Sequence, residues 1–276
     1  MPTGKALIEQ MNSTPILPNS LAFWGLGQMG IAIKGPDAIL YIDPCLTNVV
    51  EDLFGSWWYR AYPTPINPEE VTNATYLLSS HEHTDHFDPQ TVKPLAKASP
   101  DVRVVATGWS RQLVKDAEVS EDRAIYPTAL QPMTLPGTSI KLTAIPSAHY
   151  EKEYEEQKGY RWLGYLIEWN GVTFYHSGDT IPHPAIVEDL RRFRIDVALL
   201  PINGRAPERR VQGNLDGREA AQLAHEIGAR WAVPCHYEMF AFNTADPREL
   251  FLPECDRLAQ ARHVLRAGEG WTVPAR

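Results

Sequence analysis

The stretch Ser80-His81-Glu82-His83-Thr84-Asp85-His86 says more about this protein than any other part of its sequence. It directly follows the apolar run Tyr76-Leu77-Leu78, so we predict that a buried strand ends here and presents polar side chains from a turn. Three imidazoles and a carboxylate this close together suit a divalent cation such as zinc or manganese. Without a cation, protonated imidazoles would repel each other, so a metal centre explains the cluster better than a solvated histidine-rich turn does.

Four further apolar segments end in a residue type that binds metals. They finish, in chain order, with Asp43, His149, Asp179 and His236. Strand ends are common positions for functional side chains, because the sheet holds them rigidly. A single histidine or aspartate at such a position is more often structural, but the repeated pattern is more specific. We therefore predict that these four residues join the cluster at 80–86.

The hydrophobic pattern also predicts the arrangement of the elements. Strand-like segments dominate the first part of the chain and are mixed with helical patterns later, which suggests two sheets with helices packed outside them. Two helices carry start signals, because Asp88-Pro89 and Asp246-Pro247 each read as an N-cap followed by a proline at the first helical position. We predict helices over 88–98 and 247–261.

Taken in order, these motifs resemble those of the metallo-β-lactamase superfamily, from about Leu21 to His236. Within the superfamily, the chain is similar to the ascorbate-6-phosphate lactonase branch in the stretches 23–27, 175–179, 195–199 and 245–247. The resemblance implies an α/β fold, a four-layer αββα sandwich of two mixed sheets with helices outside. It also implies that residues 1–276 form a single metallo-β-lactamase-like hydrolase domain.

The same resemblance implies two divalent metal ions, each held by three side chains. The two ligand sets would be His81, His83 and His149, and Asp85, His86 and His236. Asp179 would bridge the ions, and Asp43 would hold ligand groups by hydrogen bonds rather than bind metal itself. Zinc is the expected metal, with manganese or iron as alternatives.

A metal-dependent hydrolase follows from this resemblance, with a hydroxide bound between two ions as the nucleophile. Catalytic roles fall to Asp85, Asp179 and His236, and Asp85 could also shuttle a proton. We expect the enzyme to open a small lactone or another ester, with an anionic, sugar-derived molecule as the leading option. The alternatives are a phosphodiesterase on the same scaffold and a metal-stabilised binding protein without turnover.

Four residues near the predicted metal edge are candidates for substrate binding: Asn203, Arg205, Tyr237 and His183. An arginine in the position of Arg205 could clamp a carboxylate or a phosphate, although solvated loop charge is the alternative. Tyr237 and His183, each close in sequence to a predicted ligand, are equally well explained by packing. The long loop before residue 72, with aromatic residues in 54–62, is either a wall of a pocket or an exposed surface.

Residues 25–30 contain a Gly-x-Gly-x-x-Gly pattern, which also occurs in dinucleotide-binding folds. Such a site needs a helix directly after the glycines, whose N-terminus receives the pyrophosphate. Here a short alternating stretch over 31–34 is followed by Gly35-Pro36, which breaks it. We therefore predict two antiparallel strands joined by a glycine turn, without a dinucleotide site.

Composition restricts the partners that this chain is expected to have. Its 276 residues carry a net charge of −8, which argues against broad nucleic-acid binding. No apolar run approaches the ~20 residues of a membrane span, and three scattered cysteines are too few for a disulfide framework. We expect a cytoplasmic protein with a small-molecule substrate and no nucleic-acid or membrane partner. The sequence leaves undecided whether the chain forms a homo-oligomer with the aromatic loop as its interface.

Overall fold

Two β-sheets form the centre of the computed structural model, which describes residues 1–209 and 213–274. With one short hairpin, the sheets contain all the strands found in these residues. In chain order the strands are β1 (Ala22–Gly27), β2 (Gly30–Lys34), β3 (Ile39–Ile42), β4 (Tyr76–Leu78), β5 (Arg103–Val105), β6 (Ala124–Ile125), β7 (Met133–Thr134), β8 (Lys141–Pro146), β9 (Tyr154–Glu155), β10 (Gly159–Tyr160), β11 (Leu163–Trp169), β12 (Val172–His176), β13 (Val197–Pro201), β14 (Trp231–Cys235) and β15 (Gly270–Thr272).

The first sheet has seven strands in the order β15-β1-β2-β3-β4-β5-β6. Its neighbours pair antiparallel from β15 to β3 and parallel from β3 to β6. The antiparallel pairing of β1 with β2 confirms the prediction that the glycine-rich stretch is a turn between two strands. Because β3 and β4 run parallel, their carboxyl ends open toward the same edge of the sheet.

The second sheet has six strands in the order β14-β13-β12-β11-β8-β7. Neighbours pair antiparallel from β7 to β12 and parallel from β12 to β14. Strands β8 and β12 share one direction, because each pairs antiparallel with β11. Both sheets are therefore mixed, as the sequence predicts, and four strands of the second sheet, β8, β12, β13 and β14, end at a common edge.

Apolar side chains between the two sheets form the central core. Fully buried residues from both sheets belong to it, among them Leu40 and Ile42 of β3 with Tyr165 and Phe174 of the second sheet. Side chains alternate between the two faces of a strand, so Tyr41 belongs to a different cluster on the outer face. The two sheets are held face to face by this shared burial, at roughly 25 cal/mol for each Å² of apolar surface removed from water.

Helices cover both outer faces. They are α1 (Lys5–Ser13), α2 (Val49–Phe54), α3 (Pro89–Ala98), α4 (Arg111–Asp116), α5 (Pro184–Leu190), α6 (Gly217–Glu226) and α7 (Phe251–Arg257). Buried side chains of α1, α3 and α4 cluster with the first sheet, and those of α5, α6 and α7 cluster with the second. The layer order is αββα, and the predicted fold class is confirmed.

Two helix starts were predicted from Asp-Pro pairs, and one of them is wrong. Asp88 caps α3 by accepting a hydrogen bond from the backbone N–H of Gln90, as expected. Asp246 instead accepts from the backbone and the guanidinium of Arg248, and α7 begins only at Phe251. The aspartate closes a local turn rather than a helix N-terminus, because the arginine two residues later competes for its carboxylate.

The loop expected before residue 72 contains local structure. Helix α2 lies in it and buries Val49 and Val50, and a 3-10 turn follows at Ser56–Trp58. The three cysteines are buried and free. Among the helices of the described residues, none combines the length and the apolar character needed to cross a membrane.

Candidate metal centre

The metal-binding residue types of both sheets meet at one edge of the sandwich. Asp43 follows β3 and the cluster at 80–86 follows β4, whereas Asp179 and His236 follow β12 and β14. His149 comes from the segment after β8, which has the same direction as β12. The parallel strand directions therefore explain why residues far apart in sequence arrive at a single place.

Three groups of ligand-type residues occupy this edge, and within each group the candidate ligand atoms all lie within 4.8 Å of one another. The groups are His81, His83 and His149; His81, His86 and Asp179; and Asp85, His86 and His236. The first and third groups have the same members as the two ligand sets that the resemblance implies. The structure thus brings every predicted metal ligand to one site.

Asp179 lies between the two sets. Its Oδ1 is 3.3 Å from Nε2 of His86, and its Oδ2 is 3.4 Å from Nε2 of His149 and 3.5 Å from Nε2 of His236. The carboxylate therefore contacts one member of the first set and two of the second. A bridging ligand requires this placement.

Asp43 and Ser80 hold two of the imidazoles in place through Nδ1. Asp43 Oδ2 lies 2.8 Å from Nδ1 of His86, and Ser80 Oγ lies 2.9 Å from Nδ1 of His81. The Ser80 hydroxyl and backbone N–H both donate to the Asp43 carboxylate, at 2.6 and 2.7 Å. An imidazole held in this way turns Nε2 toward a metal, which is the indirect role expected for Asp43.

Several polar atoms at the edge are buried without a hydrogen-bond partner among the described residues. They are His81 Nε2, together with His86 Nε2 and Asp179 Oδ1, which lie 3.3 Å apart without forming a hydrogen bond. Such atoms are rare in folded proteins, because leaving them unpaired costs free energy. Imidazole nitrogens and carboxylate oxygens are suitable ligands for zinc, and the mixed set also suits manganese or iron. The residues present therefore fit a divalent metal ion.

Burial and nearby charge act in opposite directions on the titrating groups. Burial lowers the pKa of His149 to about 4 and holds that of His81 well below its ordinary value. Burial also disfavours protonation of His236, but the Asp179 and Asp85 carboxylates outweigh it and raise the pKa to about 9. The first set is thus neutral, as metal-binding imidazoles must be, whereas the second lies in a field of negative charge that attracts a cation.

Trp162 packs against the three-histidine set, and no pattern in the sequence predicts this contact. Its ring centroid lies 5.0 Å from that of His81 and 5.2 Å from those of His83 and His149. Trp162 is itself 1% exposed. A rigid apolar surface on one side of the imidazoles limits their rotation and excludes water from that side.

Gln28 is a second residue that sequence reasoning missed. It lies in the turn between β1 and β2, with a left-handed backbone at φ 53°. Its Nε2 donates to Asp85 Oδ2 at 3.2 Å, and its backbone carbonyl oxygen accepts from the backbone N–H of His236 at 2.8 Å. Only the pairing of distant segments reveals this role, because no spacing in the sequence connects residue 28 with residue 85.

A cavity of about 360 Å³ opens over the centre. Four predicted ligands line it: His83, Asp85, His149 and Asp179. The remaining lining is partly apolar and partly made of carboxamides, from Val50, Phe54, Trp58, Thr84, Tyr150, Asn203, Asn214 and Asn243. None of the described lining residues is a lysine or an arginine.

Arg205 does not face this cavity, whereas the neighbouring Asn203 lines it. The Arg205 guanidinium pairs with Glu219 of α6 and donates to the Asn214 carbonyl oxygen at 2.8 Å. The prediction that Arg205 clamps a substrate anion is therefore not supported. Its charge is already neutralised by a helix carboxylate, which the sequence could not place beside it.

Tyr237 and His183 also lie outside the cavity. Tyr237 is buried with the second helical layer and donates to the Leu265 carbonyl oxygen at 3.1 Å. His183 lines a separate cavity next to α5 and α6. For both residues the contacts agree with the packing alternative, and a role in substrate binding stays a prediction.

This combination of fold and site defines a class of proteins, the αββα sandwiches with a histidine- and aspartate-rich metal centre at the sheet edge. A sequence profile described as the beta-lactamase superfamily domain matches residues 40–237. The chain belongs to this family.

Two proteins of similar sequence support that assignment. A UPF0173 metal-dependent hydrolase of Pyrobaculum arsenaticum is 27% identical over 255 residues, covering 88% of this chain and 96% of the relative. Another from Pyrococcus horikoshii is 27% identical over 230 residues, covering 81% and 88%. The names of both relatives agree with membership of the beta-lactamase superfamily, while similarity to the ascorbate-6-phosphate lactonase branch stays a prediction.

Solved structures show the same fold. A novel metallo hydrolase from Ignicoccus hospitalis superposes with a TM-score of 0.72 at 18% identity, covering 93% of this chain and all of the other. An isothiocyanate hydrolase from Delia radicum gut bacteria gives a TM-score of 0.71 at 14% identity, covering 91% and 98%. At such low identity the agreement concerns the fold alone.

Proposed function

We propose that this protein is a metal-dependent hydrolase that opens a small lactone or another carboxylic ester. One observation carries the proposal: the Asp179 carboxylate lies within 3.5 Å of histidines from both ligand sets, beneath an open cavity. The first set would hold one ion, the second set a second ion, and Asp179 would touch both. Zinc suits these ligands first, with manganese or iron as alternatives.

Ions held there would lower the pKa of water and polarise a carbonyl oxygen. The protein's own side chains orient the ligands and place a carboxylate in the cavity. Asp43 and Ser80 orient the imidazoles of His86 and His81. Asp85 lines the cavity, and His86 and His236 keep its pKa below the usual range despite burial, so its carboxylate is ionised and suited to holding a cation.

The cavity favours a carbonyl substrate over a phosphodiester. A phosphodiester carries a negative charge, which proteins usually bind with arginine or lysine. The described lining contains neither, and Arg205 is paired with Glu219 elsewhere. Esters and lactones without a charge need no such partner.

A rate panel on the purified full chain tests this function. Simple and cyclic phosphodiesters would be compared with lactones and carboxylic esters, with zinc or manganese added and with a chelator as the control. We expect hydrolysis of the lactones or esters that the chelator abolishes and that Asp85→Asn strongly reduces. Asp37→Asn is the matched control, because Asp37 bonds to Trp169 and Ser139 away from the metal edge.

Two results would contradict the proposal. Cleavage of phosphodiesters in preference to esters would make the protein a phosphodiesterase on this scaffold. Metal and ligand binding that survive in Asp85→Asn, without turnover by either protein, would favour a binding protein.

A further inference from the structure

Three asparagine side chains line the cavity and form one continuous chain of hydrogen bonds. Asn214 Nδ2 donates to Asn203 Oδ1 at 3.0 Å, and Asn203 Nδ2 donates to Asn243 Oδ1 at 3.0 Å. Asn214 and Asn203 lie 11 residues apart and Asn243 lies 40 residues from Asn203, and the side chains of Asn214, Asn203 and Asn243 belong to residues that are 1%, 2% and 6% exposed. Such a buried amide chain is a built feature, because each buried amide must find a partner.

Arg209 fixes the direction of this chain. Its guanidinium donates to Asn243 Oδ1 at 3.2 Å and to the backbone carbonyl oxygen of Asn203 at 2.7 Å. A guanidinium has only donors, so the oxygen of Asn243, and not its nitrogen, must face it. Every amide further along the chain then has a defined orientation, which removes the usual ambiguity between amide oxygen and nitrogen.

The chain ends in an unused acceptor. Asn214 uses its Nδ2 as a donor to Asn203. The Oδ1 of Asn214 is buried and has no hydrogen-bond partner among the described residues. The preceding residue, Gly213, accepts from Nδ1 of the predicted ligand His149 at 2.8 Å. The unused acceptor therefore belongs to the residue that directly follows the hydrogen-bond partner of a predicted metal ligand.

An aromatic surface adjoins the amides. Phe54 and Trp58 line the same cavity, and the Trp58 ring packs edge-on against Phe242 and Phe240 at 4.3 and 5.7 Å between centroids. Phe242 directly precedes Asn243, so one segment supports both the aromatic surface and the amide chain. Rings fixed in this way bind a flat apolar group at little entropic cost.

We propose that the amide chain and the aromatic surface select neutral esters that carry an aryl group and a hydrogen-bond donor beside the scissile carbonyl. This inference rests on the proposed ester hydrolysis and names its substrate class. The donor would bond to Asn214 Oδ1, and the aryl group would pack on Phe54 and Trp58. In the reaction, water adds to the carbonyl carbon, the ester C–O bond breaks, and the alcohol leaves with a proton while the acid is released.

Four methyl esters with one scaffold test the proposal. Methyl mandelate has the aryl group and a hydroxyl donor, and its O-methyl ether lacks only the donor. Methyl hydrogen phenylmalonate replaces the donor by a carboxylate, and methyl lactate lacks the aryl group. We expect methyl mandelate to have the highest kcat/KM, at least about tenfold above each of the other three.

Asn214→Leu is the decisive variant. It should reduce the preference for methyl mandelate over its O-methyl ether to near one, because kcat/KM for methyl mandelate should fall by a larger factor than kcat/KM for the ether. Asn73→Leu serves as the matched control, because Asn73 makes side-chain hydrogen bonds with Tyr41 and Asn12 far from the cavity. That variant should keep the preference, even if it lowers stability.

A binding measurement keeps the test independent of turnover and of the folding of any variant. Calorimetric titration of the wild-type protein should use 1-hydroxy-1-phenylpropan-2-one, in which a ketone replaces the ester and the hydroxyl is the only donor, and its O-methyl ether. We expect the hydroxy ketone to bind about tenfold more tightly than the ether. Equal affinities, or equal kcat/KM for the donor and the ether, would overturn the inference and leave ester hydrolysis standing. Inactivity on the whole rate panel, with the binding preference intact, would instead remove the proposed function.

Discussion

At the scale of single residues, the site depends on which nitrogen each histidine has free. His86 is held at Nδ1 by Asp43, and His149 is held at Nδ1 by the Gly213 carbonyl oxygen. Both imidazoles are thereby left with Nε2 directed toward Asp179. The sequence identified the histidines but not these tautomers, because the partners lie up to 64 residues away along the chain.

Asp43→Asn should lower metal affinity while the fold is retained. An amide presents an N–H₂ group where His86 Nδ1 or the Ser80 donors require an acceptor, so the His86 ring loses its fixed orientation. Replacing such a partner typically weakens metal binding by about 10–100-fold. Competition with a chromophoric chelator measures the affinity.

Asp37→Asn is again the matched control. Asp37 accepts a hydrogen bond from the buried ring of Trp169 and contacts none of the predicted metal ligands. Equal metal affinities for Asp43→Asn and the wild-type protein would show that Asp43 does not orient the site.

At the scale of elements, the sharp turns after the strands decide which side chains reach the edge. Gly178 lies between the end of β12 and Asp179 with a left-handed backbone, at φ 58°. A Cβ added there would lie 2.6 Å from Ser80 Cβ and 2.8 Å from the Leu163 carbonyl oxygen. The two sheets approach each other so closely at this point that only glycine fits.

Gly178→Ala should therefore destabilise the protein and disturb the metal site together. The left-handed backbone costs about 1–2 kcal/mol for alanine, and relieving the two close contacts adds about 1–3 kcal/mol. Urea denaturation measures the loss, and a chelator titration on the folded variant measures metal affinity.

Gly228→Ala separates the two causes. Gly228 has a similar backbone, at φ 69°, but a Cβ there would meet nothing within 4 Å. Only the backbone strain of about 1–2 kcal/mol should appear, with unchanged metal affinity. Equal destabilisation of both variants would mean that the contact between the sheets at Gly178 is unimportant.

At the scale of the whole molecule, the metal centre joins the two sheets. Asp43 and the 80–86 cluster belong to the first sheet, whereas Asp179 and His236 belong to the second. An ion bound by both would cross-link the sandwich at its open edge. Its binding free energy then contributes to the folding free energy, because the unfolded chain has no such site.

Chelation should accordingly lower the melting temperature. With free zinc at a thousand times its dissociation constant, binding stabilises the folded state by about 4 kcal/mol. For a chain of this size, that corresponds to about 7 °C in Tm. Scanning calorimetry with zinc, and with a chelator in excess, measures the difference, and an unchanged Tm would show that no ion links the two sheets.

The sequence alone determined the class of fold and the set of ligand types. Strand periodicity and strand-end residues are local properties, so Asp43, His149, Asp179 and His236 could be found without knowing where the strands lie. Tertiary structure alone decided what surrounds them. Trp162, Gln28 and the asparagine chain contribute through contacts between distant segments, and Arg205 is lost to Glu219 for the same reason. Periodicity tells which face of a strand is buried, but only sheet pairing and packing bring two distant side chains within hydrogen-bond distance.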